Sequence, residues 1–439
     1  MVNKISTFIS KQITDIKSYG TLELFRKFNL VIKLLFNIPI YIVAIIPCVI
    51  IRLIRPWIVV RIEQLNVISF GALVRHTAIY YLEKKQKINQ PTKKYIDLFY
   101  IHPSDKIYNK QIIKMWKRKL NFLSGHFLNP IDKVNEFIPG WKIHKVEVVN
   151  RSIKQHKANS LIEKYQPFNF TSKEEIYGKE ILKEFGLSEN DKFVCLAVRD
   201  EAYQLKKVSA RFKDWSYHDH RNFDINNFIM AVESLAERGY YVFRMGVVVK
   251  KALNTKNNKI IDYANSNLRS DFMDVYLGAK CTFCISTGFG FEEVPFVFRR
   301  PIALIQCPFG DIGRIFAYSD KFLVLTKHHI LEKENRELSL SEIFSHGVAY
   351  AERSKIFGER GIKLVDNTPE EIKDLVIEMA DNLESKKKLN NEENQLQKNF
   401  KNLFAYNIKN TVPHWPVANK EIKARFSTQF LRKNKHWLN

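Results

Sequence analysis

The chain has 439 residues, 45% hydrophobic and 13% aromatic, which suffices for two domains with their own cores and excludes a disordered polymer. Five irregularly spaced cysteines exclude a disulfide framework. A formal net charge of +24 calls for an anionic partner, whether nucleic acid, an anionic membrane surface or phosphorylated substrates, although a Lys-, Asn- and Ile-rich composition of AT-biased origin accounts for part of the excess.

Leu34–Ile51 is an uncharged run of 18 residues between Lys33 and the pair Arg52 and Arg55. It has the length of a short membrane span, but Pro39 and Pro47 work against a straight helix. Six Lys/Arg in residues 1–33 and Arg52, Arg55 and Arg61 beyond the run put basic flanks on both sides. That distribution suits a shallow or re-entrant anchor with both ends in the cytoplasm; a buried core helix is the alternative. Residues 1–56 are therefore expected to be a basic, membrane-associated segment. The body is expected at the cytoplasmic face of the inner (plasma) membrane, held there through residues 34–51.

Trp57–Gln64 is apolar and β-branched and predicts a first strand, with Asn66–Phe70 as an extension. Gly71 marks a turn before a helix over Leu73–Leu82. Tyr95–Ile101 predicts a second strand, closed by His102-Pro103, and Asn109–Leu120 a basic helix. Strands alternating with helices imply βα units and a parallel sheet. Gln166–Lys179 is polar and turn-rich, a linker between a first domain over 57–180 and a second over 181–385.

In the second domain three predicted strands end in charge or glycine. Phe193–Val198 ends in Arg199-Asp200, Tyr240–Phe243 in Arg244-Met245-Gly246, and Thr282–Ile285 in Ser286-Thr287-Gly288-Phe289-Gly290, followed by Glu292-Glu293. Asp224 is an N-cap for a helix carrying Ile225, Phe228, Ile229, Val232 and Ala236 on one face. Asp271 precedes a short helix over Phe272–Leu277, and Pro301–Ile305 adds another buried strand. Cys281 and Cys284 lie three apart in a strand, where side chains point to opposite faces, so they are assigned as structural rather than as shared ligands. Residues 386–439 form a basic helical extension; from Lys401 onward there are eight Lys/Arg and one acid, Glu421.

Ligands of open parallel sheets bind outside the carboxyl ends of the strands. Arg199, Arg244 and Arg269 are accordingly candidates for phosphate, with Gly246 allowing close backbone approach. Ser286, Thr287 and Gly288 would form a phosphate-binding turn. Glu292 or Glu293 would accept ribose hydroxyls, with stabilisation of a helix N-terminus as the alternative. The run Tyr217-His218-Asp219-His220-Arg221-Asn222 gathers imidazole, guanidinium and amide groups on one loop. Arg221 and Asn222 are counted with the donor-binding set, and Asp200, His218 and His220 are the candidates for acid–base work. Two histidines two apart without a third spaced ligand do not make a metal site, and no metal or other cofactor is expected. The basic segments carry no nucleic-acid-binding module, so nucleic acid is not an expected partner.

Several motifs together resemble a bacterial surface-polysaccharide glycosyltransferase family. They are Lys114-Met115-Trp116-Lys117-Arg118-Lys119-Leu120, Val198-Arg199-Asp200, His218–Ile225, Gly239–Gly246, Ile261–Ser266, Arg269–Asp274 and Phe298-Arg299-Arg300-Pro301. The wider resemblance is to GT-B enzymes. It implies an α/β fold of two Rossmann-like domains, GT-B-like, to which the sequence adds an N-terminal membrane-associated hydrophobic helix. By the same resemblance residues 57–180 would face the acceptor and 181–385 would hold the nucleotide-sugar donor. The implied reaction is metal-independent transfer of a sugar to a lipid-linked or glycan acceptor at an anionic membrane surface. The chain lacks the spaced glutamate pair of many retaining GT-B enzymes, which leaves the stereochemistry open. A nucleotide-sugar epimerase of the same fold and a membrane-tethered scaffold or anionic-polymer binder are the alternatives.

Overall fold

The computed structural model describes residues 25, 28, 38–146, 148, 161–202, 216–307, 319–351, 353–385, 389–411 and 422–439. The chain divides into two compact units. Unit 1 comprises Met1–Leu65, Pro91–Asp105 and Leu120–Glu147; unit 2 comprises Asn66–Gln90, Lys106–Lys119 and Val148–Asn439.

Unit 1 carries a parallel sheet of β1 (Val59–Gln64), β2 (Tyr95–Tyr100) and β3 (Asn121–Phe122), in that order. Arg61 and Asp97 are register partners on β1 and β2 and form a buried ion pair at 2.6 Å. Arg61 also lies over the Tyr95 ring. A helix over 38–53 packs Ala44 and Cys48 against Ile62, Tyr100, Leu128 and Ile131, the last two supplied by the helix Gly125–Phe137. Arg52 closes that contact by donating to Asn135 Oδ1 at 2.8 Å.

The expected N-terminal membrane-associated helix is corrected here. Residues 34–37 lie outside the described residues, and among the described residues no helix is long and apolar enough to cross a membrane. The apolar run is instead shared between a core-facing stripe (Ala44, Cys48, Ile51) and an outer face that leaves Ile42, Val43 and Ile46 exposed. Attachment through residues 34–51, and the location at the inner-membrane face that followed from it, are overturned with it.

Unit 2 is built on a seven-stranded sheet. In chain order its first members are β4 (Phe193–Ala197), β5 (Tyr241–Arg244), β6 (Ile260–Ile261), β7 (Cys284–Ser286), β8 (Ile302–Cys307) and β9 (Phe322–Thr326). A small antiparallel sheet follows, of β10 (His328–Leu331), β11 (Arg336–Glu337) and β12 (Ile362–Val365), and β13 (Arg425–Phe426) then returns to the large one. The large sheet runs β13-β9-β8-β7-β4-β5-β6 with every neighbouring pair parallel. Its central strands are buried at every residue, as expected when both faces of a parallel sheet are covered. From β4 the chain proceeds outward to β5 and β6, then crosses back to β7 on the other side of β4. The strand order therefore reverses between β4 and β7.

Two helices that flank this point differ from their sequence-based limits. Asp271–Lys280 is capped by Ser270, whose side chain accepts from Met273 N, and Asp271 is its first residue. The span expected as a linker, Gln166–Lys179, falls largely in the helix Ser172–Glu184, which opens on a Thr171/Glu174 capping box. Glu174 is held further by Gln111 and Arg118 at 2.8 and 2.9 Å. Burial pushes its carboxyl up, but these hydrogen bonds outweigh that and bring it down to about 2. The C-terminal extension is a packed helix, Asn391–Thr411, which buries Leu396, Phe400, Phe404 and Ile408; Trp437 stacks on Phe400 and Phe426.

Candidate functional site

Because β4, β5 and β7 are parallel and adjacent or nearly so, their following loops open on one edge of the sheet. A cavity of about 280 Å³ lies there, at the reversal of strand order where open α/β sheets place ligands. Val198, Arg199 and Asp200 line it from the end of β4, Met245–Val249 from the end of β5, and Phe289–Phe291 from beyond β7. Asp274 contributes from the helix Asp271–Lys280, and Ile68–Gly71 with Tyr108 and Asn109 complete the wall. All these residues belong to unit 2. Aromatic and aliphatic side chains dominate the lining, with Arg199, Asp200 and Asp274 as its charged points and Ser69, Tyr108 and Asn109 as further polar ones.

Two backbone segments of the wall meet at glycines. A β-carbon on Gly71 would lie 3.1 Å from Gly290 Cα, so a larger residue at either position would force the segments apart. Gly288, at φ +83°, makes the turn out of β7 in a conformation that favours glycine.

A second cavity of about 230 Å³ shares Val198 and Asp200 with the first. It is lined further by Glu201, Asn222, Phe223, Asp224, Ile225, Arg244, Lys250 and Lys251. Its charges are paired: Lys250 Nζ with Glu201 at 2.5 Å and Lys251 Nζ with Asp224 at 2.6 Å. Asn222 Oδ1 and Arg244 Nε are buried there without a hydrogen-bond partner among the described residues.

The candidates read from the sequence divide into three groups. Arg199, Asp200 and Gly246 line the first cavity, and Asp200, Asn222 and Arg244 the second. Asp200 is fixed by backbone: Oδ1 accepts from Ala202 N at 2.9 Å and Oδ2 from Lys250 N at 2.8 Å. Arg199 N donates to Thr287 Oγ1 at 2.9 Å, which ties the ends of β4 and β7 together. Arg244 is only 1% exposed and pairs with Asp262 at 3.1 Å.

A second group holds the loops in place. Ser286 Oγ donates to Glu292 Oε2 at 2.5 Å and accepts from Gly288 N at 3.2 Å, while Phe289 N donates to the same Glu292 oxygen at 3.1 Å. The amides expected to cradle phosphate are thus used inside the turn. Arg221 donates to Gly288 O at 2.9 Å, Glu293 pairs with Arg75 at 2.9 Å, and Arg269 donates to Gly246 O at 3.1 Å.

The histidines form the third. His220 Nδ1 lies 2.9 Å from Ser354 Oγ and its ring faces Phe357, and it lines neither cavity. The side chain of His218 lies outside the described residues. Among the described residues no group of three or more His, Cys, Asp or Glu side chains is placed to hold a metal ion.

Asp274 was not among the sequence candidates. Its Oδ1 accepts from Tyr263 OH at 2.9 Å and its Oδ2 from Arg269 at 2.7 Å. Burial pushes the carboxyl up, the Arg269 charge and the Tyr263 hydrogen bond only partly offset this, and it rises to about 6. Its signal in the sequence is an acid inside the otherwise buried run Met273–Ala279.

No protein-family model matches the chain. No curated protein matches it. Among solved structures it is similar to a family 9 glycosyl transferase from Veillonella parvula, at 10% identity and TM-score 0.35, over 56% of this chain and 79% of that one. It is also similar to the ADP-heptose LPS heptosyltransferase II of E. coli, at 13% identity and TM-score 0.31, over 56% of this chain and 84% of that one.

Proposed function

We propose that the protein is a glycosyltransferase that takes a nucleotide-sugar donor in the cavity at the ends of β4, β5 and β7. The observation that carries this is the cavity's position at the reversal of strand order, with aromatic walls suited to a base and Arg199 at its edge. The resemblance of the sequence motifs to those of surface-polysaccharide glycosyltransferases favours a lipid-linked or glycan acceptor. In the proposed step the acceptor oxygen forms a bond to the anomeric carbon as the carbon–diphosphate bond breaks. The acceptor's proton passes to a carboxylate, for which Asp200 is the proposed base, being common to both cavities. Arg199 is proposed to neutralise charge on the departing diphosphate.

Calorimetry or thermal shift against UDP-, GDP- and dTDP-linked sugars tests the reading. One nucleotide class should stabilise the protein, equally with and without EDTA. Arg199→Ala should weaken that donor by about tenfold or more, the scale of a charged hydrogen bond. A folded protein that none of these donors stabilises would refute the proposal.

A further inference from the structure

We infer that Asp274 is a ligand-facing carboxylate of the first cavity, accepting hydrogen bonds from two neighbouring hydroxyls of a bound sugar ring. The inference rests on the nucleotide-sugar reading and adds to it the group that recognises the sugar. A vicinal diol is the shared chemistry, and it occurs in the ribose of the nucleotide and in the transferred sugar.

Four observations converge on this residue. It lines the cavity, and its side chain is only 9% exposed. An ionised carboxylate has about four acceptor positions, two on each oxygen. Tyr263 occupies one on Oδ1 and Arg269 one on Oδ2, which leaves one on each oxygen and matches a pair of hydroxyl donors. The carboxylates expected to serve the diol, Glu292 and Glu293, do not line this cavity, whereas Asp274 does. Finally, the network is rigid at both ends. Tyr263 OH spends its one proton on Asp274 and accepts from Ser270 N, and Arg269 also donates to Gly246 O in the cavity wall. A carboxylate fixed this way pays little ordering entropy when a ligand arrives.

Burial leaves the ionised carboxylate poorly stabilised even beside Arg269, and two hydroxyl donors would supply what is missing. The charged and titratable groups facing Asp274 are Tyr263 and Arg269 from the preceding segment, Asp271 on its own helix, and Cys195 on β4. Burial pushes both Tyr263 and Cys195 up, so neither ionises near neutral pH.

The test uses the full chain and the donor that binds best in the panel, its counterpart differing only in the 2′-hydroxyl of the nucleotide sugar, and the same nucleoside diphosphate without the transferred sugar. Asp274→Asn should weaken the intact donor by about tenfold or more. If the diol is the ribose, the 2′-deoxy donor binds the wild type equally weakly and the variant does not distinguish the two. If it belongs to the transferred sugar, the variant loses affinity for the intact donor and keeps its affinity for the bare diphosphate. A variant that binds the intact donor as tightly as the wild type overturns the inference. Should Asp274→Asn fail to fold, the wild-type pH profile decides. The donor's diphosphate is esterified at both ends and does not titrate between pH 5 and 8. Donor affinity should therefore fall about tenfold from pH 7 to pH 5, as a group titrating near 6 is protonated. A flat profile overturns the inference and leaves the nucleotide-sugar reading standing, whereas a folded wild type that binds no donor overturns both.

Discussion

Glu292 and Glu293 are neighbours in sequence and part company in the fold. One closes the turn out of β7 by accepting from Ser286 and Phe289, and the other pairs with Arg75. Their chemistry was legible in the sequence, but the direction of each side chain depends on the turn that follows a strand, which residue type alone does not set. Arg244 shows the same limit, since a strand-end arginine was readable and its burial against Asp262 was not. His328 stood outside the candidate set, yet it joins Glu337 at 2.7 Å and Glu371 at 2.9 Å. Burial lowers its pKa, but the two carboxylates outweigh burial and bring it up to about 10. The folded-state value lies above the unfolded one, so the stabilisation is complete below about pH 6.5 and is lost as pH rises through 10. Melting temperature should fall across that window, and His328→Gln should cost about 2–4 kcal/mol at pH 6 and flatten the decline. A wild-type melting temperature that is level from pH 6.5 to 10 would contradict this assignment.

At the scale of elements, the strands were legible because parallel strands buried on both faces read as short apolar runs. Their ends moved by a residue or two, as at Val59–Gln64 and Tyr241–Arg244. The helix Ser172–Glu184 was missed despite its capping-box sequence, because polar residues fill its exposed face and only Glu174, Gly178 and Ile181 are buried. Gly178 shows how tightly it is packed, since a β-carbon there would sit 2.3 Å from the ring of Tyr276. Gly178→Ala should therefore destabilise unit 2 by about 1–3 kcal/mol despite alanine's better helix propensity. Chemical denaturation of the variant measures it, and an unchanged or raised stability would show that Tyr276 yields without cost.

For the whole molecule, the units are not consecutive in the chain. Asn66–Gln90 and Lys106–Lys119 lie within the span expected to face the acceptor, yet they pack with unit 2 and lend Phe70, Gly71, Tyr108 and Asn109 to the cavity wall. Because that wall is complete within unit 2, donor binding should be insensitive to the core of unit 1. Leu128→Ala, at a 1% exposed position, should cost about 2–5 kcal/mol while the donor dissociation constant stays within about twofold. A tenfold weakening in a variant that remains folded would show that unit 1 takes part in donor binding.

The α/β class, the parallel strands and the charged strand ends could be read from residue order, because periodicity, apolar runs and turn residues act over a few neighbours. The reversal between β4 and β7, the cavity it opens, and the burial of Asp274 beside Tyr263 and Arg269 could not. They depend on which strands become neighbours and which segments cover them, as does the corrected role of the 38–53 helix, whose apolar residues turn partly onto Ile62 and Ile131. A polar side chain's role is set by what surrounds it after folding, and those surroundings come from distant parts of the chain.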